Sequence, residues 1–481
     1  MRIIVTIAFV FYSSFGFAQT SDVWTLQQSV RYALDHNISV QQNELNERLA
    51  KLTLQQSQLS QIPSLNASSS YGRSYGRSVD PTTNQFVNRN YDFFSAGGNA
   101  DVLLFGWFQK RNTIARNKFL LDATRADLDQ LRDDVSLNVA TGYLRALLAK
   151  EQIRVNEKQV ELSKAQLQQT RQFVIAGRLP ELNAAQLESQ LASDSANLIN
   201  AIAAYNSAIL DLKAMLNLDF ATPLAIQAPK AEVNDQLDLG NMKPEVIYAE
   251  AVKKFGSIRG GSLRLKASQK AVAAARGALW PQLGANAQFG TNYATTFTEI
   301  TSVTEGPPQQ TLAYVPFSDP FSDTVLLPVY QPTFQYKTRR IPFNTQLDNN
   351  FRQTISFALN IPIFNSWQAQ TTLKQAKLSM LSDELNKYNA QLKLKQDVYK
   401  AYNEALNAIQ KFYAAERAEQ AARRAYEFAQ KRYDLGLTNT VEYLVTQNTQ
   451  FVSESNLLSA KYDLIFKLKV IDYYLGKELK L

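Results

Sequence analysis

The chain repeats itself once, with two offsets rather than one, and this constrains its fold more than any other feature. Under a shift of 218 residues, Ala33 falls on Ala251, Ser39 on Ser257, Leu45 on Leu263, Pro63 on Pro281 and Leu65 on Leu283. Under a shift of 259, Phe105 falls on Phe364, Tyr143 on Tyr402, Leu147 on Leu406, Gly177 on Gly436, Leu198 on Leu457 and Leu216 on Leu475. Duplication sets the architecture before any single residue does. The 41 extra residues of the second copy all fall between Leu283 and Phe364. Each copy therefore has an early helix, a middle of variable length and a long helical end. Variable length marks a loop.

The flanks of that middle read as strands. Ile355, Phe357, Leu359, Ile361 and Ile363 alternate with Ser356, Ala358, Asn360 and Pro362. Leu283, Ala285, Ala287, Phe289 and Tyr293 alternate with Gly284, Asn286, Gln288 and Asn292. The first copy is weaker: Leu65, Ala67, Ser69 and Tyr71, then a return from Tyr91 to Leu104 interrupted at Gly97-Gly98. Apolar residues alternating with polar or small ones over about ten residues fit transmembrane β-strands, and equally a soluble hairpin with one buried face. Trp107, Trp280 and Trp367 favour the membrane, since all three stand where strand meets helix, the level of an interfacial aromatic belt. The expected β-hairpins are 63–105 and 281–364, with outer loops at 73–90 and 297–350.

Beyond each hairpin lies a very long helical stretch. Residues 107–175 hold no proline and one interior glycine, Gly142, and as a helix span roughly 100 Å. Residues 181–217 span roughly 55 Å and 38–62 roughly 37 Å, so the two shorter helices fit end to end beside the long one. The second copy repeats the plan with helices at 244–280, 367–434 and 440–475. Leu191, Leu198, Ile202, Tyr205, Ile209, Leu212 and Leu216 form a coiled-coil seam. One chain thus offers four amphipathic strands. Four cannot close a barrel, and an open edge is not tolerated in lipid. Three copies give twelve strands, an even number within the known range.

The N-terminus, 1–18, reads as a secretory signal peptide, with Arg2, an apolar run from Ile3 to Phe17 and a small-x-small site at Gly16-Phe17-Ala18. The first repeat is then 19–217, with its opening helices within 24–62, the linker is 218–242, and the second repeat is 243–481. There is no cysteine, which excludes disulfides, thiolate metal sites and a lipidated N-terminal Cys. The one histidine, His36, reads as a packing or surface residue, so no catalytic residue, metal site or cofactor is expected. The net charge of +8 is spread along the chain and gives no nucleic-acid footprint.

The order of motifs resembles the TolC family of outer-membrane efflux and type I secretion channels. Leu26, Ser29, Val30, Ala33, Leu34, Asn37 and Val40 look like the family's opening helix. Pro63 and Pro281 end the upward helices, and Leu104-Phe105 and Pro362-Ile363-Phe364 form the strand-to-helix junctions. The lower turns carry Phe173, Ala176, Gly177 and Leu182, and Tyr433, Leu435, Gly436, Val441, Glu442 and Leu444. The resemblance implies a mainly α protein with transmembrane β, whose trimer forms a 12-stranded barrel continued by a long periplasmic α-helical barrel. It implies residence in the outer membrane of a Gram-negative bacterium and passive export of small molecules or proteins, with no enzymatic step. Its implied partners are two further copies of itself, a periplasmic adaptor, an inner-membrane transporter and outer-membrane lipid. It further implies a periplasmic gate at Glu442, Asn183, Tyr433 and Thr438. Adaptor docking is expected at the turns of Gly177, Arg178, Leu179, Gly436 and Leu437. The competing reading is a secreted or periplasmic coiled-coil scaffold without transport, which leaves the two alternating hairpins unexplained.

Overall fold

The computed structural model describes residues 23–79, 86–227, 243–317 and 325–477. The signal peptide reading and most of the linker lie outside the described residues. In chain order the first copy contains β1 (Val23–Trp24), α1 (Leu26–His36), α2 (Ile38–Leu59), β2 (Ser64–Ser74), β3 (Arg77–Val79), β4 (Phe86–Asn88), β5 (Tyr91–Phe105), α3 (Gln109–Ile175) and α4 (Glu181–Leu216). After β6 (Ala225–Ile226) come α5 (Pro244–Lys254), α6 (Gly256–Gly277), β7 (Gln282–Ala294), β8 (Thr298–Phe317), β9 (Val325–Arg340), α7 (Phe343–Asn349), β10 (Arg352–Asn360), α8 (Gln368–Asp434) and α9 (Thr440–Tyr474). Two compact units result, one of Met1–Leu54, Arg116–Gln269 and Lys377–Leu481, the other of Gln55–Ala115 and Lys270–Ala376.

The first unit is helical and holds two apolar cores, one for each copy. Val139, Tyr143, Leu147, Leu212 and Leu216 belong to the first, and Ile247, Val398, Ala405, Leu464 and Ile471 to the second. Tyr143 ties the short parallel pair β1–β6 to α3, its hydroxyl lying 2.8 Å from the carbonyl oxygens of both Trp24 and Gln227. Burial pushes its phenol up to about 12, against the lowering effect of the Gln227 amide that donates to it, so it stays a donor at physiological pH. Ion pairs Glu44–Arg132 and Glu47–Arg125 set α2 against α3, and Arg259–Asp129 and Arg264–Asp127 set α6 against α3. Gly261 of α6 faces the backbone of Lys387 in α8. The lateral order is therefore α2-α3-α6-α8.

The helix expected at 244–280 is broken in two, at the position equivalent to the junction before the expected helix 38–62. Asn37 separates α1 from α2 and Phe255 separates α5 from α6, with ψ 124° at both. The reasons are local. The Asn37 side chain accepts from the amides of Ser39 and Val40, which starts a new helix. The Phe255 ring leaves the helix to sit 5.2 Å from Tyr473 and 5.5 Å from Tyr474. The long helices also begin two and one residues later than expected, at Gln109 and Gln368. Trp107 and Phe108 have φ of 47° and 60°, and Ser366 and Trp367 of 51° and 65°. Two consecutive left-handed residues turn the strand into the helix at both equivalent places, a conformation that costs each non-glycine residue about 1–3 kcal/mol.

The second unit holds an antiparallel sheet in the order β10-β7-β5-β2. Its ladders sort the side chains cleanly. Leu65, Ala67, Ala100, Val102, Leu283, Ala285, Ala287, Ile355, Phe357 and Leu359 share one face. Asn66, Ser68, Ser95, Asn99, Asn286, Gln288, Thr354, Ser356 and Asn360 share the other. Gly97-Gly98 does not interrupt β5. The Phe289 ring fills the space over Gly98, its directly paired residue, as Phe93 does over Gly72, and these pairs pin the register.

The expected loop at 297–350 is largely strand. β8 and β9 pair into a ribbon, and a strand of β8's length extends roughly 65 Å. Three register shifts hide the alternation from a period-two reading. Pro307, Pro308 and Pro316 in β8, with Pro328 and Pro332 in β9, hide it further.

Candidate gate and docking turns

The helical unit carries two tight helix turns, α3 to α4 and α8 to α9. Both use glycine past the helix end, Gly177 with φ 73° and Gly436 with φ 74°. Their hydrogen bonds match. Gly177 N–H donates to Val174 and Arg178 N–H to Phe173, while Gly436 N–H donates to Tyr433 and Leu437 N–H to Arg432, all at 2.8–2.9 Å. Only a residue free to take positive φ closes such a turn without strain. In the first turn the Arg178 guanidinium lies 5.2 Å from the Phe173 ring centre. In the second, Asn439 caps α9 by accepting from Glu442 N–H at 2.7 Å. Ile175, Leu182, Leu435, Leu437 and Val441 are all exposed around these turns, and Leu179 is half-buried.

Above the turns, a buried hydroxyl network joins all four helices. Asn183 of α4 donates to Thr440 Oγ1 of α9 at 2.7 Å. The Tyr433 hydroxyl of α8 lies 3.3 Å from the same oxygen and 3.1 Å from Thr170 Oγ1 of α3. The Tyr433 ring stacks on Tyr443 at 4.7 Å. Tyr443 reaches Tyr426 at 3.3 Å and Gln166 Oε1 at 3.5 Å. Burial drives the Tyr443 hydroxyl far above the usual phenol range, and Tyr426 is raised for the same first reason. Both therefore remain protonated across the physiological range. The Nε2 of Gln166 and both amide atoms of Gln447 are buried without a hydrogen-bond partner.

The structure thus brings Asn183 and Tyr433 together through Thr440, and puts Glu442 elsewhere. Glu442 pairs with Arg432 at 3.4 Å and accepts from Thr438, both in its own hairpin. Thr170, Thr440, Tyr443 and Gln166 were not singled out from the sequence. The seven-residue spacings Gln159–Gln166, Ser163–Thr170 and Tyr433–Thr440 are the signal that points to three of them. Trp107, Trp280 and Trp367 all belong to the strand unit. Trp107 and Trp280 lie 4.8 Å apart, and Trp367 sits under the Lys374 ammonium at 5.7 Å. His36 stacks on Tyr32 at 3.9 Å. Among the described residues no helix is long and apolar enough to cross a membrane, and no three metal-ligating side chains gather.

Thr440→Val keeps the shape of the residue but removes both of its partners. Leaving the half-buried Asn183 amide unpaired costs about 1–3 kcal/mol. Hydrogen exchange at the α8–α9 turn is expected to quicken about tenfold or more relative to α3 near Tyr143. Equal rates in wild type and variant refute a closing role for the network.

The family model described as outer membrane efflux protein matches residues 30–218 and 326–476. The chain belongs to the outer membrane efflux protein family. It is an outer-membrane exit duct, a passive channel and not an enzyme. No functionally curated protein matches it. Among solved structures it is similar to the Campylobacter jejuni outer membrane channel CmeC, with a TM-score of 0.74 and 17% identity over 94% of this chain and 85% of that one. The outer membrane protein VceC of Vibrio cholerae gives 0.73 and 14%, covering 95% and 97%. The open state of the Neisseria gonorrhoeae channel MtrE gives 0.71 and 17%, covering 95% and 89%. At these identities the likeness is one of fold.

Proposed function

We propose that three copies of this efflux protein close into one duct, a twelve-stranded barrel continued by a helical tube. The supporting observation is that both units are open at equivalent edges. Among the described residues β2 and β10 each pair on one side only. Their neighbours in the chain, α2 and α8, are the outer helices of the order α2-α3-α6-α8. Each carries an exposed apolar stripe at coiled-coil spacing. On α2 it is Ile38, Leu45, Leu49, Leu52 and Leu59, and on α8 it is Leu378, Leu381, Leu385, Tyr388 and Leu392. A second copy of the chain supplies the missing partner of each edge. The apolar face of the sheet then meets lipid, the polar face lines the lumen, and Trp107, Trp280 and Trp367 sit at the membrane interface.

The gate of this duct is the network of Tyr433, Thr440, Asn183 and Thr170. Glu442, held by Thr438 and Arg432, adds charge beside it. The turns around Gly177 and Gly436 dock a periplasmic adaptor, which couples the duct to an inner-membrane transporter. Their exposed leucines, with Arg178 at the rim, suit packing against a partner's helical hairpins. Leu179→Asp combined with Leu437→Asp is expected to abolish export in cells while trimers still form. Cysteines at Arg178 or Thr438 are expected to crosslink to the adaptor, with no native cysteine to confuse the result. Export that survives the double variant rejects docking at the turns.

A further inference from the structure

The polar face of the β2-β5-β7-β10 sheet carries two charged side chains, of opposite sign. Asp101 shares its ladder row with Ser64, Asn286 and Ser356. Arg352 shares a row with Gly290, Gly97 and Ser68. The other residues of this face on the four strands are Ser, Thr, Asn, Gln, Gly, Ala or the apolar and aromatic residues at its ends. Arg73 and Asp92 pair on the opposite face.

Asp101 is fixed in place. Asn286 donates to its Oδ1 and Asn99 to its Oδ2, each at 2.6 Å. Both donors are neutral amides, so they orient the acid without cancelling its charge. Arg352 begins β10, on the side of the outer connection, and Asp101 stands near the end of β5 that leads into α3. Four residues of strand separate the two rows, roughly 13 Å. That exceeds the screening length of about 8 Å at physiological salt, so each charge acts on passing ions by itself.

We propose that Asp101 and Arg352 are two opposed charge filters in the lumen, which make the barrel pass dipolar or uncharged molecules more readily than ions of either sign. The proposal deepens the reading of this sheet as the wall of a trimeric duct. In such a duct each filter is a ring of three like charges. A cation is drawn by the Asp101 ring and repelled by the Arg352 ring, and an anion meets the reverse. Every ion therefore crosses one repelling ring, whereas a zwitterion presents a suitable end to each.

The test is the reversal potential of single channels in a potassium chloride gradient at about 0.15 M salt, where the two rows are screened from one another. Asp101→Asn is expected to lower the cation-to-anion permeability ratio about twofold or more, and Arg352→Gln to raise it by a similar factor. The double variant is expected to return the ratio towards that of wild type. An unchanged ratio in either single variant, or shifts in the same direction, overturns the proposal. Ser356→Cys and Phe357→Cys separate this from failure of the duct reading. A charged thiol reagent is expected to block current only through the first, and if it blocks both or neither the sheet is not the lumen wall.

Discussion

Leu381→Asp together with Leu385→Asp is expected to eliminate the trimer. Wild-type protein extracted in detergent is expected to give three copies by native mass spectrometry, and the variant single chains of unchanged helix content. Both leucines are exposed in one chain, at 49% and 61%, so neither substitution disturbs the cores around Val398 and Val139. Each lost leucine removes about 1.5–3 kcal/mol of burial per interface. Each aspartate then has to be desolvated against an apolar stripe, which costs several kcal/mol more. Three interfaces carry the change at once. A variant that still runs as three copies shows that α8 does not form the seam.

The second large effect lies inside the chain. Gly256→Val is expected to destabilise the helical unit by about 3 kcal/mol or more, at or beyond the upper end of ordinary overpacking. A Cβ at Gly256 comes 2.1 Å from the Ala126 carbonyl oxygen, a backbone atom that cannot swing aside. α6 must then withdraw from α3, and the ion pairs Arg259–Asp129 and Arg264–Asp127 part with it. Gly261→Ala is the control. Its Cβ meets nothing nearer than 3.8 Å, and alanine favours the helix by about 0.5–1 kcal/mol, so stability is expected to hold or rise. Thermal unfolding followed by circular dichroism separates the two. Equal midpoints for both variants refute the close contact.

Much of this architecture was legible because duplication leaves its mark on spacing. The offset of 259 links Trp107 to Ser366 and Phe108 to Trp367, the four left-handed residues of the two junctions. It also links Asn217 and Gly476, which end α4 and follow α9 with φ of 55° and 65°. The helix start after Asn37 was legible, but the equivalent break at Phe255, 218 residues on, was not. One is made by a side-chain cap and the other by rings of Tyr473 and Tyr474, more than two hundred residues away in sequence. The hydroxyl network above the turns was legible in part. Tyr433 and Asn183 came from a motif, but their common partner Thr440 and the neighbour Thr170 are joined only by packing. Glu442 was expected in the gate, and its pairing with Arg432 was not legible because Arg432 lies across a turn, where spacing along the helix does not bring the two together.

The β8–β9 ribbon has a consequence for life in a crowded membrane. It exposes Val303, Tyr314, Phe334 and Tyr336, the composition that in a free strand seeds intermolecular sheets. Its five prolines remove amides from the two strands, and its three register shifts twist what remains out of line. Ribbons of adjacent molecules that collide cannot zip together beyond a few residues. The ribbon can therefore be long and sticky on its faces without turning a dense array of ducts into a fibrous mat.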